Sequence, residues 1–90
     1  MQCDCNKTIN LLKTAGGQID GIINMIEDDR YCIDVISQIM ATQAILRKAS
    51  SIILKGHMEH CVNAAFESGN EQEKNEKIDE IIKLFDKINK

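Results

Sequence analysis

The chain has 90 residues, 43% of them hydrophobic and 28% charged, with a net charge of −3 and no proline. This length excludes a multidomain protein, and this charge gives no indication by itself of a nucleic-acid-binding protein. No run approaches the ~18 uncharged apolar residues of a membrane span, and the N-terminus lacks the pattern of a secretory signal. We therefore expect a cytoplasmic protein with no membrane partner. With only two Phe and one Tyr, it is expected to bury apolar surface against other copies.

Apolar residues recur at helical spacing throughout, which predicts an all-α protein. Residues 1–5 are predicted to be a flexible N-terminal tail with two cysteines, and residues 6–90 a single helical domain. Helix 1 is expected from about Asn6 to Asp28. Its glycines, each costing up to ~1 kcal/mol relative to Ala, predict close approach of another helix near Gly16. The apolar stripe of helix 1 consists of Ile9, Leu12, Ile19, Ile23 and Ile26.

Helix 2 is predicted to be long and central. Asp28 and Asp29 offer an N-cap, because a short acidic side chain accepts free backbone N–H groups and suits the positive end of the helix dipole. From Tyr31 to about Ser68 the only strong breaker is Gly56, and apolar residues occupy more than one face. A helix of ~38 residues would span ~57 Å, whereas a compact chain of this length has a radius of gyration of ~12 Å. One monomer therefore cannot cover helix 2.

Helix 3 follows a break at residues 68–70. Gly69 is expected to take the left-handed position after helix 2, and Asn70 to cap helix 3 with Glu73 in capping-box register. Helix 3 is expected to end at about Ile88 and to form an amphipathic cover for a larger helical core. Its apolar stripe consists of Ile78, Ile81, Phe85 and Ile88.

Thiols and imidazoles form the candidate functional cluster. Without an export signal, four cysteines are more typical of metal ligands or redox thiols than of a disulfide framework. His57 and Cys61 are four residues apart, so they share one helix face. The third candidate ligand is Cys32, which lies 25 residues before His57, about 37 Å along one helix. One chain cannot close this site.

An antiparallel pairing of two copies of helix 2 resolves the distance, because it places Cys32 of one copy beside His57 and Cys61 of the other. Two thiolates and one imidazole favour Cu(I). Zinc, nickel or cobalt remains an alternative if His60, Cys3 or Cys5 supplies a further donor. The plainer interpretation of His57 and Cys61 is a coincidental spacing. The plainer interpretation of Cys3 and Cys5 is that they lie in a simple N-terminal tail.

Three segments closely resemble the copper-sensing operon repressor (CsoR) family. They are residues 18–35, QIDGIINMIEDDRYCIDV; residues 57–62, HMEHCV; and residues 78–85, IDEIIKLF. The resemblance covers nearly the whole chain from about residue 10. It implies a three-helix protomer, an antiparallel helical dimer and a tetramer made of two dimers.

The resemblance also implies function and residue roles. The copper ligands of the family fall on Cys32, His57 and Cys61. Tyr31 and Glu80 match residues that hydrogen-bond the free nitrogen of the ligating histidine and transmit metal binding. The expected function is a metal-sensing repressor, whose apo tetramer binds operator DNA and releases it when Cu(I) binds.

Helix 1 departs from the family pattern. Members of the family usually carry arginines where this chain has Leu11, Thr14 and Asp20, so we expect weakened binding to operator DNA. The residues left to contact DNA are Lys13, Arg47 and Lys48, with Lys7 as a further contributor. A copper- or persulfide-binding carrier or sensor with weak or no DNA binding is the alternative function. No nucleophile, base and oxyanion arrangement is visible, so we predict no enzyme and no catalytic residue.

Overall fold

The structure, a computed structural model, describes residues 4–88, and these residues form three α-helices and no β-strand. Helix α1 spans Cys5–Glu27, α2 spans Cys32–Ser68 and α3 spans Glu71–Ile88. The predicted all-α fold with a long central helix is confirmed. Helix α1 begins at Cys5, which the sequence assigned to the tail, and Cys3 lies outside the described residues.

Helix α1 ends in a backbone motif centred on Asp29. The Asp29 N–H donates to the Ile26 carbonyl at 3.1 Å, and the Arg30 N–H donates to the Met25 carbonyl at 2.9 Å. Asp29 has a φ of 55°, the left-handed conformation that closes a helix in a Schellman motif. The backbone around Asp29 therefore satisfies the last carbonyl groups of α1.

Helix α2 begins three residues later than its predicted aspartate cap. The Tyr31 carbonyl accepts the backbone N–H groups of Asp34 at 3.0 Å and Val35 at 3.2 Å, so Tyr31 directly precedes the first turn. The prediction that Asp28 and Asp29 cap α2 is wrong, because both residues lie in the turn that closes α1. Tyr31 consequently stands at the N-terminus of α2, next to Cys32.

The joint between α2 and α3 follows the sequence prediction closely. Gly69 has a φ of 70°, and the Asn70 side-chain oxygen accepts the Glu73 N–H at 3.1 Å. The Glu73 carboxylate accepts the Ser68 hydroxyl at 3.1 Å, while the Asn70 N–H donates to that hydroxyl oxygen. The Asn70 cap is confirmed, with Ser68 occupying the place that a reciprocal capping box gives to Glu73.

The chain divides into two compact units, and residues 6–49 form the first, here called the hairpin unit. Its two helical segments are joined by residues 28–31, so they run antiparallel. The Thr42 hydroxyl donates to the Gln18 side-chain oxygen at 2.7 Å, which links the two segments. The buried side chains recur every seven residues and are mostly small: Thr8, Ala15 and Ile22 in α1, and Val35, Thr42 and Ala49 in α2.

The predicted apolar stripe of α1 lies outside this core. Ile23 is 48% exposed, and the other members of the stripe are exposed as well. Among the described residues, nothing lies within 4 Å of a Cβ placed on Gly16, so the predicted close approach is not made within this chain. The core uses the face of Thr8 and Ala15 because small side chains there permit close packing of two helices. The large aliphatic side chains of the stripe are left about half exposed.

The second unit, here called the C-terminal unit, consists of residues 50–88 with residues 4 and 5. Leu54 and Ala65 of α2 are buried in it, whereas α3 has no fully buried residue among those described. In the predicted stripe of α3, Ile81 and Ile88 are half-buried and the other two members are exposed. None of the helices within residues 4–88 has the length and apolarity that a membrane span requires.

Candidate metal centre

His57 and Cys61 form a donor pair on α2. The Cys61 Sγ lies 3.5 Å from the His57 Nδ1, because residues four apart on a helix stack on one face. Both side chains are half-buried. A metal bound about 2.3 Å from sulfur and about 2.05 Å from nitrogen, at a tetrahedral angle, separates the two donors by about 3.6 Å. The observed spacing therefore fits a thiolate and an imidazole that share one metal ion.

The second nitrogen of the same imidazole faces α3. The His57 Nε2 lies 3.7 Å from the Glu80 Oε1, with the two side chains 40% and 54% exposed. This distance is longer than a direct hydrogen bond. His57 thus stands between a thiol and a carboxylate that face different ring nitrogens, so an event at Nδ1 has a route to α3 through Nε2.

Glu80 has a further neighbour that the sequence analysis missed. The Lys77 Nζ lies 3.5 Å from the Glu80 Oε2, one turn away on α3. The spacing of three residues on a helix is a signal from which this pair could have been found. It was overlooked because Lys77 belongs to no metal-ligand pattern.

The His57 side chain opens on a groove of about 610 Å³ in the C-terminal unit. His60 is exposed and lines this groove together with His57 and Glu80. The remaining lining is mainly aliphatic: Ser50, Ile53, Leu54, Leu84 and Ile88. His60 therefore lies in the same groove as His57 and Glu80.

Cys32 and Tyr31 belong to the hairpin unit, whereas His57 and Cys61 belong to the C-terminal unit. Cys32 is an exposed thiol at the first residue of α2, and Tyr31 is 69% exposed. Within residues 4–88, no three His, Cys, Asp or Glu side chains are grouped closely enough to hold a metal ion. One chain therefore supplies the donor pair but not a complete ligand set from its described residues.

The remaining candidate residues are distributed along α1 and α2. Cys5 is half-buried in the first turn of α1, and Cys3 lies outside the described residues. The basic side chains of Lys13, Arg47 and Lys48 are all exposed on the hairpin unit. Thr14, which stands at a position where arginine was expected, donates its hydroxyl to the Asn10 carbonyl at 3.0 Å. Its polar group is thus directed at its own helix.

Known proteins share this arrangement of helices. The chain matches the family model described as metal-sensitive transcriptional repressor over residues 4–87. It is 46% identical over 74 residues to the copper-sensing transcriptional repressor CsoR of Mycobacterium ulcerans; the match covers 82% of this chain and 61% of that relative. The chain thus spans less than two thirds of the length of that relative.

Two solved structures are similar. The crystal structure of CsoR with Cu(I) from Geobacillus thermodenitrificans has a TM-score of 0.78 and 34% identity, covering 94% of this chain and 85% of the other. The nickel-responsive transcriptional regulator InrS has a TM-score of 0.79 and 27% identity, covering 98% and 96%. Since the family model extends over nearly all described residues, the chain belongs to the family of metal-sensitive transcriptional repressors.

Proposed function

We propose that this protein is a metal-sensing transcriptional repressor, which binds operator DNA without metal and releases it when Cu(I) binds at a subunit interface. One observation carries the proposal. His57 presents Nδ1 to the Cys61 thiol and Nε2 to the Glu80 carboxylate. A donor pair for a soft metal is thereby connected, through one side chain, to a different helix. The family consists of repressors rather than enzymes, and we assign no catalytic residue.

The proposed ligands are Cys32, His57 and Cys61. Two thiolates and one imidazole make a soft three-coordinate set, which suits Cu(I) better than Zn(II). A Cu(I) ion would supply a positive charge and Lewis acidity at Nδ1 of His57. Zinc, nickel or cobalt is the alternative if His60, Cys3 or Cys5 adds a donor, and the likeness to a nickel-responsive regulator supports keeping that alternative.

A second copy of the chain completes the proposed site. The exposed aliphatic stripe of α1 and the incomplete ligand group within residues 4–88 both support such an assembly. In an antiparallel pairing of two α2 helices, Cys32 of one copy would join His57 and Cys61 of the other. The resulting homodimer would pair again into a homotetramer.

Glu80 is the proposed link between metal and DNA. With Nδ1 used as a metal ligand, His57 is held as the tautomer that carries its proton on Nε2, and this N–H is then a donor for Glu80. Shortening of the 3.7 Å contact would draw α3 toward α2. Tyr31 is the proposed second acceptor for the same N–H, contributed from another copy. Metal and DNA would then weaken each other's binding by one coupling free energy.

The proposed DNA contacts are Lys13, Arg47 and Lys48. Each is exposed on the hairpin unit, and a tetramer would repeat them four times. The chain lacks basic residues at Leu11, Thr14 and Asp20, so we expect weaker binding and a smaller salt dependence than in arginine-rich relatives. This function would be carried out in the cytoplasm, where the operator is accessible.

The absence of basic residues at these three positions of α1 favours a second candidate function. A copper- or persulfide-binding carrier or sensor would keep the donor pair of His57 and Cys61 without requiring a basic DNA face. Asp20 is exposed and acidic, which opposes contact with phosphate. Under this alternative, Cu(I) affinity is retained while binding to operator DNA is weak or absent.

Fluorescence anisotropy separates the two functions. Labelled DNA from upstream of the gene for this protein is titrated with reduced, anaerobic apo-protein at low salt, and then with Cu(I). The repressor is supported if apo-protein binds and one Cu(I) per chain releases the DNA, with Cys32→Ala unable to respond. Binding no tighter than that to unrelated DNA, together with tight Cu(I) binding, would support the carrier.

A further inference from the structure

The carboxylate of Glu80 contacts two side chains through two different oxygens. Its Oε1 faces the His57 Nε2 at 3.7 Å, and its Oε2 faces the Lys77 Nζ at 3.5 Å. Lys77 and His57 therefore do not compete for one oxygen. The carboxylate forms a bridge between a lysine of its own helix and an imidazole of α2.

A glutamate side chain has three rotatable bonds, and fixing it in one conformation costs side-chain entropy. Lys77 contacts Glu80 at the i, i+3 spacing, so the contact is formed within α3 and does not depend on α2. With Oε2 held on the side of Lys77, rotation of the carboxylate is restricted and Oε1 remains directed at His57.

The surroundings distinguish Lys77 from the described lysines that follow it in α3. Its side chain is 37% exposed and the residue is half-buried, whereas Lys83 and Lys87 are exposed. Partial burial restricts the lysine as well, and it reduces the screening that makes fully exposed ion pairs weak. Lys77 is therefore suited to hold a carboxylate in place.

We propose that Lys77 is a positioning residue for the metal response: it holds the Glu80 carboxylate so that Oε1 meets the His57 N–H when a metal occupies the opposite ring nitrogen. This inference rests on the proposed function. It gives Lys77, which is not a proposed metal ligand, a share of the coupling free energy between metal binding and DNA binding. Lys77 acts through Glu80 and touches neither metal nor DNA.

The first test measures the ratio of the DNA dissociation constants with and without Cu(I). Lys77→Gln is expected to reduce this ratio about two- to fivefold, the range of a partly exposed ion pair. Lys77→Arg is expected to restore the ratio to the wild-type value, because arginine keeps a cation at that position. Lys87→Gln removes the same charge from α3 about three turns away and is expected to leave the ratio unchanged. A wild-type ratio in Lys77→Gln would overturn the proposal.

A double-mutant cycle tests whether Lys77 acts through Glu80. In a Glu80→Gln background, Lys77→Gln is expected to change the ratio no further. An equal reduction in both backgrounds would show that Lys77 acts by another route and would overturn the proposal. Circular dichroism of each variant shows whether the helices are retained.

A second readout requires neither DNA nor metal. The chain has two histidines, so a protein labelled with ¹⁵N-histidine gives a simple spectrum in which His57→Gln assigns the His57 ring signals. In the apo-protein at fixed pH, Glu80→Gln and Lys77→Gln are expected to displace the His57 Nε2 resonance in the same direction, and Lys77→Arg to leave it in place. If Lys77→Gln leaves it in place while Glu80→Gln moves it, the positioning role is wrong. If the His57 Nε2 resonance moves as expected but Cu(I) does not release DNA from the wild-type protein, only the repressor function is rejected.

Discussion

The Sγ of Cys61 lies 3.5 Å from the Nδ1 of His57, one helical turn away along α2. This distance is close to the separation of two donors on one metal ion, about 3.6 Å. The opposite nitrogen of the imidazole faces Glu80. A single histidine therefore has one ring nitrogen available for a metal and the other for a signal to α3.

Substitution of Cys61 tests the donor pair. We expect Cys61→Ser to weaken Cu(I) binding by at least about 100-fold, because a hydroxyl is a poor ligand for a soft metal. Competition with a chromophoric Cu(I) chelator under anaerobic conditions measures the affinity. Met58→Leu is the control, since neighbouring helix positions diverge by about 100°; an equal loss in that variant would argue against a site formed by His57 and Cys61.

Substitution of Glu80 tests the connection between metal and DNA. We expect Glu80→Gln combined with Tyr31→Phe to retain Cu(I) binding while losing most of the Cu(I)-driven release of DNA, because the acceptors for the His57 N–H are removed or weakened. Anisotropy with and without Cu(I) gives the coupling free energy. A normal copper response in this double variant would remove the proposed roles of both residues.

The hydrogen bond from Thr42 to Gln18 tests the packing of the hairpin unit. We expect Thr42→Val to lower the free energy of unfolding by about 1–2 kcal/mol, because it leaves the Gln18 oxygen in a part-buried site without this donor. Urea denaturation at one protein concentration measures the change. Thr14→Val removes only a hydroxyl bond to its own helix and should cost less than about 0.5 kcal/mol. Equal losses would mean that the link to Gln18 contributes nothing.

The left-handed conformation of Asp29 predicts a stabilising substitution. With a φ of 55°, Asp29→Gly should raise the free energy of unfolding by about 0.5–1 kcal/mol, because glycine adopts this region without strain. Thermal or urea unfolding shows the difference. Asp28→Gly, where φ is not positive, is expected to be neutral or destabilising, and a comparable gain there would contradict the explanation.

The exposed stripe of α1 predicts an assembly that depends on apolar contact. We expect Ile23→Glu to shift the protein to a smaller species in analytical ultracentrifugation, because a carboxylate is costly to bury in an apolar interface. Asn24→Glu adds the same charge at the neighbouring position and should leave the sedimentation coefficient unchanged. A wild-type coefficient for both variants would show that this stripe is not the interface.

Local sequence features predict the helices and most of their ends. Apolar spacing and the absence of proline predicted three helices, and Gly69 and Asn70 predicted the second joint, because a left-handed residue and a side-chain cap are local features. The spacing of His57 and Cys61 likewise predicted that they share a face. These outcomes depend on neighbours within about one turn of helix, which a sequence displays directly.

Packing between helices sets which face of α1 is buried and which charged residues meet. The large aliphatic stripe was the natural core from hydrophobicity, yet the hairpin unit buries Thr8 and Ala15, because small side chains permit closer packing of two helices than isoleucines do. The contact of Glu80 with His57 joins residues 23 positions apart. The family resemblance pointed to Glu80 as a neighbour of His57, but residue type and local spacing alone do not specify such a contact, since it depends on how α3 packs against α2.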